Sequence, residues 1–453
     1  MAPLRFINTA DWFAGRPPVY YDLETVLLTG QAPDRGLFVP ERTFMVAPET
    51  IRSFAGQPYA DVAYAVMQPY FSAMPEADFR ALIDAAYGSV QAPVRELYPR
   101  HYVLELFRNW TYAFKDFAAQ LVAGAVNYYL AKRDRGAVVF VGTSGDTGPA
   151  IARAFLGKPR AVVVVLFPAR GVTPQQRRQM TTLGDNVVCV EVDGDFHECQ
   201  ELAKAALEDP GLKNVNPTSA NSINWGRFIP QAVFSYWFYS RVCAWPEPVA
   251  LCIPTGNAGH IGANFLAAPG IGGLPIRHYI APHNLNNYLV RMLEENAAEV
   301  AVRDTVDCLS NAMNVKKPNN IPRILYFFNR DLAKMRELIV PVTVDDELTG
   351  ATIRRVYAET GYLLDVQGAV AVAGALHYRQ RYGDEIKLGT FLTADPGKFP
   401  DKIAKIVGFR PPLPERLARQ AELPERNVHR LKPRDLAGLA AIATAAYRER
   451  FTR

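Results

Sequence analysis

One lysine, Lys115, lies within the largely aromatic and apolar stretch FRNWTYAFKDFAAQ, residues 107–120. A lysine in such a stretch is either a surface residue whose stem covers apolar atoms or a buried amine. Burial lowers the pKa of an amine, and an unprotonated amine is the nucleophile that Schiff-base formation requires. Because surface lysines are far more common than buried ones, Lys115 on its own favours the surface interpretation.

A glycine-rich turn, CIPTGNAGHIG at residues 252–262, follows an apolar run and precedes a helical pattern. Several backbone N–H groups of such a turn can converge on one anion, which makes it a candidate phosphate site. It has neither the Lys-Ser/Thr pair of a Walker loop nor a GxGxxG fingerprint. Taken alone, an ordinary tight turn is the more common explanation. The phosphate hypothesis predicts cofactor contacts from Thr255, Gly256, Asn257, Ala258, Gly259 and His260.

A second turn of the same kind is VGTSGDTGPA, residues 141–150, which carries three hydroxyl side chains and an aspartate within five residues. Such a turn suits the carboxylate or phosphate of a substrate. The alternative is a tight turn in which Ser144 or Thr147 caps the following helix. The substrate hypothesis assigns contacts to Thr143, Ser144, Gly145, Asp146 and Thr147.

These features carry more weight together than separately. A Schiff-base lysine and a phosphate-binding turn on an α/β scaffold together describe a pyridoxal 5′-phosphate site. Thr393 ends the apolar run of FLTADPGKFP, residues 391–400, where its hydroxyl is suited to hydrogen-bond a pyridine nitrogen without protonating it. The combination therefore shifts the interpretation of Lys115 from a surface residue to a buried, catalytic amine.

Strands and helices alternate in an order that would position these turns. Apolar runs at residues 137–142, 161–168 and 187–194 each lead into a turn and a helical pattern, and residues 248–268 repeat the arrangement. This order predicts an α/β fold of two doubly wound parallel-sheet lobes, with ligands at the carboxyl ends of the strands. We divide the chain into an N-terminal subdomain (1–95), a lobe with Lys115 and the second turn (96–240), a lobe with the first turn (241–410) and a C-terminal helical tail (411–453). We expect part of the large domain to interleave with the 96–240 lobe.

Two further segments have helical spacing. Residues 61–83 place apolar side chains three and four positions apart, which predicts a helix in the N-terminal subdomain. Residues 221–239 mix polar and aromatic side chains and predict a core helix, with Asn221, Asn224 and Arg227 as candidates to line the cleft.

The composition is that of a globular protein, with 49% hydrophobic and 21% charged residues in 453. Lys and Arg exceed Asp and Glu by 50 to 45 without forming a basic block, so nothing indicates nucleic-acid binding. The five cysteines are odd in number and widely spaced, which predicts a reducing, cytoplasmic setting. The seven histidines lack metal-ligand spacing, so we expect no metal. No targeting signal or run of about 20 apolar residues predicts a membrane segment.

In its motifs the chain resembles threonine synthase, of the long class typical of enterobacteria and fungi. Ten segments carry the resemblance in family order: DRGLFVPE, ELFRNWTYAFKDFAAQ, GTSGDTGPA, FPARGVTPQQRRQM, VDGDFHECQ, NSINWGRFIPQ, IPTGNAGHIGANFLA, LSNAMNVKKPNNIPRI, DDELTGATIRRVYAETGY and LTADPGKFP. They span nearly the whole chain. The resemblance implies a pyridoxal-phosphate enzyme of fold type II that acts on a small amino acid as a monomer or homodimer.

The same resemblance assigns roles to individual residues. It implies that Lys115 is the Schiff-base lysine, that Gly256, Asn257 and Gly259 hold the cofactor phosphate, and that Thr393 faces the pyridine nitrogen. The Ser144–Thr147 loop is then expected near the substrate carboxylate. The remaining substrate contacts that we predict are Arg108, Thr111, Asp116, Thr143, Asn221, Asn224 and Arg227. The implied reaction converts O-phospho-L-homoserine and water to L-threonine and phosphate, with Lys115 moving protons at Cα, Cβ and Cγ.

The chain also departs from the family pattern, and the departures fall in the motifs. Where the family typically reads HGPTLAFKD, this chain reads RNWTYAFKD. In the same way, the family's SGNFGD, PHAAV and TAHPAKF correspond here to TGNAGH, DVQGAV and TADPGKF. MDV becomes MNV, and the acid of an ATNxND segment corresponds to Asn287. The changed positions are Arg108, Asn109, Trp110, Ala258, His260, Asn287, Asn314, Gln367 and Asp395.

Three hypotheses follow. The chain is a threonine synthase, or a paralogue that acts on a related activated amino acid with another nucleophile or end product, or a non-catalytic binding relative. Retention of Lys115 argues against the third, because a binding protein needs no Schiff-base amine. Clustered departures favour the paralogue slightly, since a bulky Trp110 and a cationic Arg108 would reshape the cleft. O-Phospho-L-homoserine is nevertheless the most economical substrate.

Overall fold

The computed structural model describes residues 3–451, and two larger sheets organise this part of the chain. Its strands are β1 (Phe6–Asn8), β2 (Phe38–Pro40), β3 (Val94–Tyr98), β4 (His101–Glu105), β5 (Ala137–Gly142), β6 (Ala161–Pro168), β7 (Val187–Val192), β8 (Pro217–Ser219), β9 (Val249–Cys252), β10 (Ile276–His283), β11 (Ile339–Thr343), β12 (Lys387–Leu392) and β13 (Val428–Leu431).

The helices cover the faces of these sheets and build the N-terminal subdomain. They are α1 (Thr9–Phe13), α2 (Leu23–Thr29), α3 (Pro48–Ser53), α4 (Tyr59–Met67), α5 (Glu76–Tyr87), α6 (Lys115–Lys132), α7 (Thr147–Phe155), α8 (Pro174–Thr181), α9 (Phe196–Glu208), α10 (Trp225–Phe228), α11 (Val233–Val242), α12 (Gly259–Asn264), α13 (Tyr288–Glu294), α14 (Ile321–Phe327), α15 (Leu332–Leu338), α16 (Asp346–Thr360), α17 (Val366–Tyr382), α18 (Pro400–Val407), α19 (Glu415–Glu422) and α20 (Leu436–Phe451). Within residues 3–451 no helix combines the length and apolarity needed to cross a membrane.

The smaller lobe is a five-stranded parallel sheet in the order β13-β7-β6-β5-β8. Its central strands are continuous valine-rich runs because both faces are buried. One face packs against α6 and α7, and the other packs against α9 and α20. The predicted strands at 137–142 and 161–168 coincide with β5 and β6, so the parallel α/β prediction is confirmed here.

The larger lobe is a six-stranded sheet in the order β11-β10-β9-β12-β4-β3. All of its pairs are parallel except β3 with β4 at one edge. Strands β3 and β4 precede the smaller lobe in sequence but pair in this sheet, so part of the larger lobe comes before the smaller lobe in the chain. The carboxyl ends of β9 and β12 face the smaller lobe, as the doubly wound arrangement requires.

Two other regions differ from the patterns seen in the sequence. The predicted helix over 61–83 is two helices, α4 and α5, because prolines at positions 69 and 75 interrupt the helical ladder between them. The C-terminal region is not wholly helical, since β13 extends the sheet of the smaller lobe beside β7. Leu439 and Ala443 of α20 are fully buried, which ties this region to the lobe's core.

Arg323 of α14 joins three separate parts of the fold. Its side chain is fully buried, and its guanidinium donates to the carbonyls of Phe38 at 3.1 Å, Ser222 at 3.1 Å and Ile223 at 2.6 Å. The ring of Phe228 lies 4.7 Å from the guanidinium carbon. One side chain therefore connects the N-terminal subdomain to the segment before α10.

We expect Arg323→Met to lower the free energy of unfolding by about 3 kcal/mol, because the substitution leaves several buried carbonyl groups without donors. Urea denaturation would measure the loss. Arg336→Met is the matched control: Arg336 is exposed on α15, and its replacement should change stability by less than about 0.5 kcal/mol. Equal effects of the two substitutions would contradict the assignment of Arg323 as a structural link.

Candidate active site

Lys115 is the first residue of α6, and backbone pairing fixes where it lies. Just before it, Ala113 forms an antiparallel bridge with Ala394, and the N–H of Phe114 donates to the carbonyl of Thr393 at 2.9 Å. The turn between β4 and α6 is therefore held against the segment that follows β12. As a result, Lys115 and Thr393 line the same cavity.

Lys115 is partly buried, and it lines the cavity. Burial lowers its pKa to about 8, and the positive charge of Arg227 acts in the same direction while Asp146 opposes it. The ring of Phe114 lies 5.2 Å from Nζ. The structure places Lys115 in the cavity wall and not on the outer surface, and an amine with this pKa is available as a nucleophile near neutral pH.

Thr111 and Asp116 shape the turn that carries Lys115. The carboxylate of Asp116 accepts hydrogen bonds from the backbone N–H and the hydroxyl of Thr111, both at 2.7 Å. Burial raises the pKa of Asp116 to about 6. Both side chains lie behind the cavity wall, so the structure supports a role in positioning Lys115 and does not bring them to the cavity as predicted substrate contacts.

The glycine turn after β9 forms one wall of the cavity, and all six of its predicted cofactor residues, 255–260, line it. The backbone packs closely against its neighbours at two glycine positions. A Cβ on Gly256 would lie 2.9 Å from the Cα of Met313, and one on Gly259 would lie 3.1 Å from Nδ2 of Asn320. Ala258 adopts left-handed backbone angles (φ 57°) between them. This compact turn fits a phosphate group held by backbone N–H groups.

The loop between β5 and α7 forms the opposite wall. Ser144, Asp146 and Thr147 line the cavity, whereas Thr143 and Gly145 do not. The hydroxyl of Thr143 instead accepts the backbone N–H groups of Gly145 at 3.0 Å and Gly148 at 2.9 Å, which holds the loop in shape. The two glycine turns therefore face each other across the cavity, one from each lobe.

A buried ion pair fixes Asp146. Its carboxylate lies 2.7 Å from Nζ of Lys398 and accepts a 2.9 Å hydrogen bond from the amide of Gln176. Burial acts to raise the pKa of Asp146, but the charge and hydrogen bond of Lys398 and the bond from Gln176 lower it below its usual value. Sequence reasoning missed Lys398, because in PGKFP nothing distinguishes it from an exposed lysine.

Two polar side chains at the cavity have no partner for any of their hydrogen-bonding atoms in the described part of the chain. Both amide atoms of Gln367 and both ring nitrogens of His260 are buried and unpaired. His260 stacks on Phe114 at 4.7 Å, and burial lowers its pKa to about 3, so the ring is neutral at physiological pH. Unpaired buried groups of this kind fit a site that takes a polar ligand.

The remaining predicted substrate residues divide into one inside and three outside the cavity. Arg227 lines it, although its guanidinium also donates to the carbonyl of Ala220 at 2.7 Å; burial lowers the pKa of Arg227 to about 10. Asn224 caps α10 through a 2.9 Å bond from the N–H of Gly226. Asn221 lies in an adjacent crevice. Arg108 pairs with buried Glu105 at 2.7 Å on the far side of the turn.

A wider mouth of about 890 Å³ continues from the cavity, since the two share Ser144, Phe196, Asn257 and Val315 as lining residues. Basic side chains line much of this mouth, together with three aspartates; the basic ones are Arg35, Arg170, His197, Lys204, Lys316 and Lys317. Four of these basic side chains, Arg35, Lys204, Lys316 and Lys317, form ion pairs with acidic neighbours, so the mouth carries mixed charge. Within residues 3–451 no cluster of three His, Cys, Asp or Glu side chains is arranged to hold a metal ion.

The chain is similar to known proteins along nearly its whole length. The family described as pyridoxal-phosphate dependent enzyme matches residues 95–393, and the family described as threonine synthase N terminus matches residues 16–87. The threonine synthase of Pseudomonas aeruginosa is 34% identical over 97% of this chain and 98% of its own length. The threonine synthase of Escherichia coli is 37% identical over 78% of this chain and 79% of its own length. A crystal structure of PLP-bound threonine synthase from Brucella melitensis superposes with a TM-score of 0.90, at 31% identity, over 98% of this chain and 100% of that one.

The lowered pKa of Lys115 predicts when its amine reacts. In protein prepared without cofactor, labelling of Lys115 by trinitrobenzenesulfonate should reach half its maximal rate near pH 8, because only the neutral amine attacks the reagent. Peptide mapping by mass spectrometry would follow the label. Lys132, exposed at the other end of α6, is the internal reference, and identical pH profiles for both lysines would contradict the prediction.

Proposed function

The chain belongs to the pyridoxal-phosphate-dependent threonine synthase family, and from that premise we propose that it converts O-phospho-L-homoserine and water to L-threonine and phosphate. One observation carries the proposal: the amine of Lys115 faces a single cavity that lies between a phosphate-sized glycine turn and a second, hydroxyl-rich turn.

The residues present fit pyridoxal 5′-phosphate. The turn 255–260 would hold its phosphate by backbone N–H groups, and glycine at position 256 lets this turn pack against the backbone of Met313. Thr393 would offer a neutral hydroxyl to the pyridine nitrogen, and Lys115 would provide the linking amine. When bound, the cofactor supplies an electron sink for charge that develops on carbons next to the substrate's amine.

The protein's own groups would perform the proton transfers and hold the substrate. We assign to Lys115 the removal and return of protons at Cα, Cβ and Cγ, for which an amine with a pKa of about 8 is suited near neutral pH. Ser144 and Thr147 would donate hydrogen bonds to the substrate carboxylate. Arg227 adds positive potential at the same cavity, which favours a substrate that carries both a carboxylate and a phosphate.

The family departures bear on a second candidate, a paralogue with a different nucleophile or product. Only Ala258, His260 and Gln367 of the changed residues line the cavity. Asn314 lies at the mouth, Arg108 pairs with Glu105, and Asp395 caps its own turn through the N–H of Gly397 at 2.8 Å. Most of the changed side chains therefore do not line the proposed cavity, which favours threonine synthase over the paralogue.

Proton NMR of the cofactor-loaded enzyme with O-phospho-L-homoserine, with phosphate release followed in the same sample, tests the proposal. We expect threonine to appear in step with phosphate. Phosphate without threonine would favour the paralogue.

Lys115→Ala should lower the rate by about 10³-fold or more, because it removes the group that transfers every proton. Lys132→Ala, at the exposed end of the same helix, should leave the rate unchanged; a fully active Lys115→Ala enzyme would overturn the mechanism.

Gly256→Ala should raise the dissociation constant for pyridoxal phosphate by about tenfold or more, because the added methyl would press on the backbone of Met313 at the cradle. Absorbance titration of the cofactor would measure the change. Gly350→Ala is the control, since a Cβ there meets only the end of the Arg354 side chain at 3.7 Å. A cofactor affinity that is the same in both variants would argue against the cradle.

We further propose that the enzyme works in the cytoplasm as a monomer or homodimer on small-molecule substrates. The five cysteines are free thiols, which supports a reducing compartment. Cell fractionation and light scattering would test the compartment and the assembly separately.

A further inference from the structure

We propose that Lys398 is a positioning residue, which holds Asp146 and through it the substrate-facing loop Ser144–Thr147 in place across the boundary between the two lobes. The inference rests on the proposed function, because it concerns how that loop receives the substrate carboxylate. Lys398 is not itself in the cavity wall, so it acts through Asp146.

Lys398 is buried, and its ammonium group contacts two oxygen atoms. Its side chain has no solvent exposure, and its Nζ lies 2.7 Å from the carboxylate of Asp146 and donates to the carbonyl of Thr111 at 2.8 Å. Thr111 in turn bonds Asp116, which adjoins Lys115. One ammonium group therefore connects the loop that faces the substrate to the turn that carries the catalytic amine.

These contacts bridge elements from different lobes. Lys398 follows β12 of the larger sheet, whereas Asp146 follows β5 of the smaller sheet. Beside the pair, the hydroxyl of Thr173 donates to the carbonyl of Lys398 at 3.2 Å, and the amide of Gln179 donates to the carbonyl of Thr111 at 3.0 Å. The ion pair thus lies at the centre of a polar seam between the lobes, directly behind the cavity.

A buried ion pair is a poor device for stability alone, because desolvation of both charges offsets most of their attraction and an apolar pair often serves as well. Its value here is geometric: a charged hydrogen bond fixes the direction in which Asp146 and its loop face. The other charged groups near Lys398 are Lys115, Asp116 and Asp395. The charge of Lys115 also acts on Asp146, but the direct 2.7 Å ion pair of this carboxylate is with Lys398.

The test compares Lys398→Met, Lys398→Arg and the control Lys402→Met in the cofactor-loaded enzyme. Lys402 is a nearby, partly buried lysine that donates to the carbonyl of Leu309 at 2.6 Å. We expect Lys398→Met to raise the KM for O-phospho-L-homoserine about tenfold or more, while the dissociation constant for pyridoxal phosphate changes less than about threefold. Lys398→Arg should restore most of the affinity, because it keeps the charge, and Lys402→Met should change neither constant.

The proposal is overturned if Lys398→Met leaves KM unchanged, or if KM, cofactor affinity and melting temperature worsen together and Lys398→Arg does not rescue them. If the methionine variant fails to fold, Asp146→Asn replaces it, and an unchanged KM in that variant overturns the proposal equally.

Wild-type enzyme in the same assay separates a failure of the proposed function from a failure of the Lys398 proposal. Should it release no phosphate from O-phospho-L-homoserine, the proposed function fails, and Lys398 is judged instead by titrating the bound cofactor's absorbance with L-threonine, whose carboxylate needs the same loop.

Discussion

The structure depends on keeping one amine reactive between two sheets. Lys115 lies at the first residue of an 18-residue helix, where burial, and with it the positive end of the helix dipole, disfavour the ammonium form. This placement lowers the stability of the folded state, and backbone hydrogen bonds on either side of the lysine's turn offset the loss. The bridge between Ala113 and Ala394 makes the lysine's turn an extension of the larger sheet, so the backbone that carries Lys115 is held by sheet-like hydrogen bonds.

The same constraint explains why the cavity lies between two lobes instead of within one. In an open parallel sheet the ligand-binding loops follow the carboxyl ends of the strands, so a single sheet offers these loops on one side of a ligand. Two sheets whose carboxyl ends face each other surround a small ligand with loops from both. The turn 255–260 comes from the larger sheet and the turn 143–147 from the smaller one. Buried polar side chains between the sheets, Lys398 foremost, then have to fix how the two halves meet.

The fold was more predictable from the sequence than the site was. Valine-rich runs such as residues 161–168 identify buried parallel strands because no other element places so many β-branched side chains in succession. Glycine turns identify where the backbone must approach a ligand closely, which is why all of 255–260 reached the cavity. Arg108, Thr111 and Asp116 are near Lys115 in sequence but not in the cavity, since a tight turn projects adjacent residues to different sides. Lys398 was missed because its partner lies more than 250 positions away and no local pattern signals a buried ion pair.

The departures from the family pattern are best understood through charge. The charged side chains that line the described cavity are Lys115, Asp146 and Arg227, while His260 is held neutral by burial. Gln367 and His260 thus contribute hydrogen-bonding atoms without a net charge, and those atoms have no protein partner. With Lys115 in its neutral, reactive form, the charges of Arg227 and Asp146 balance, and the unpaired neutral groups suit a ligand with several additional polar atoms. The substitutions at Gln367 and His260 therefore change which hydrogen bonds the ligand can form, while Arg227 supplies a positive charge for an anionic group.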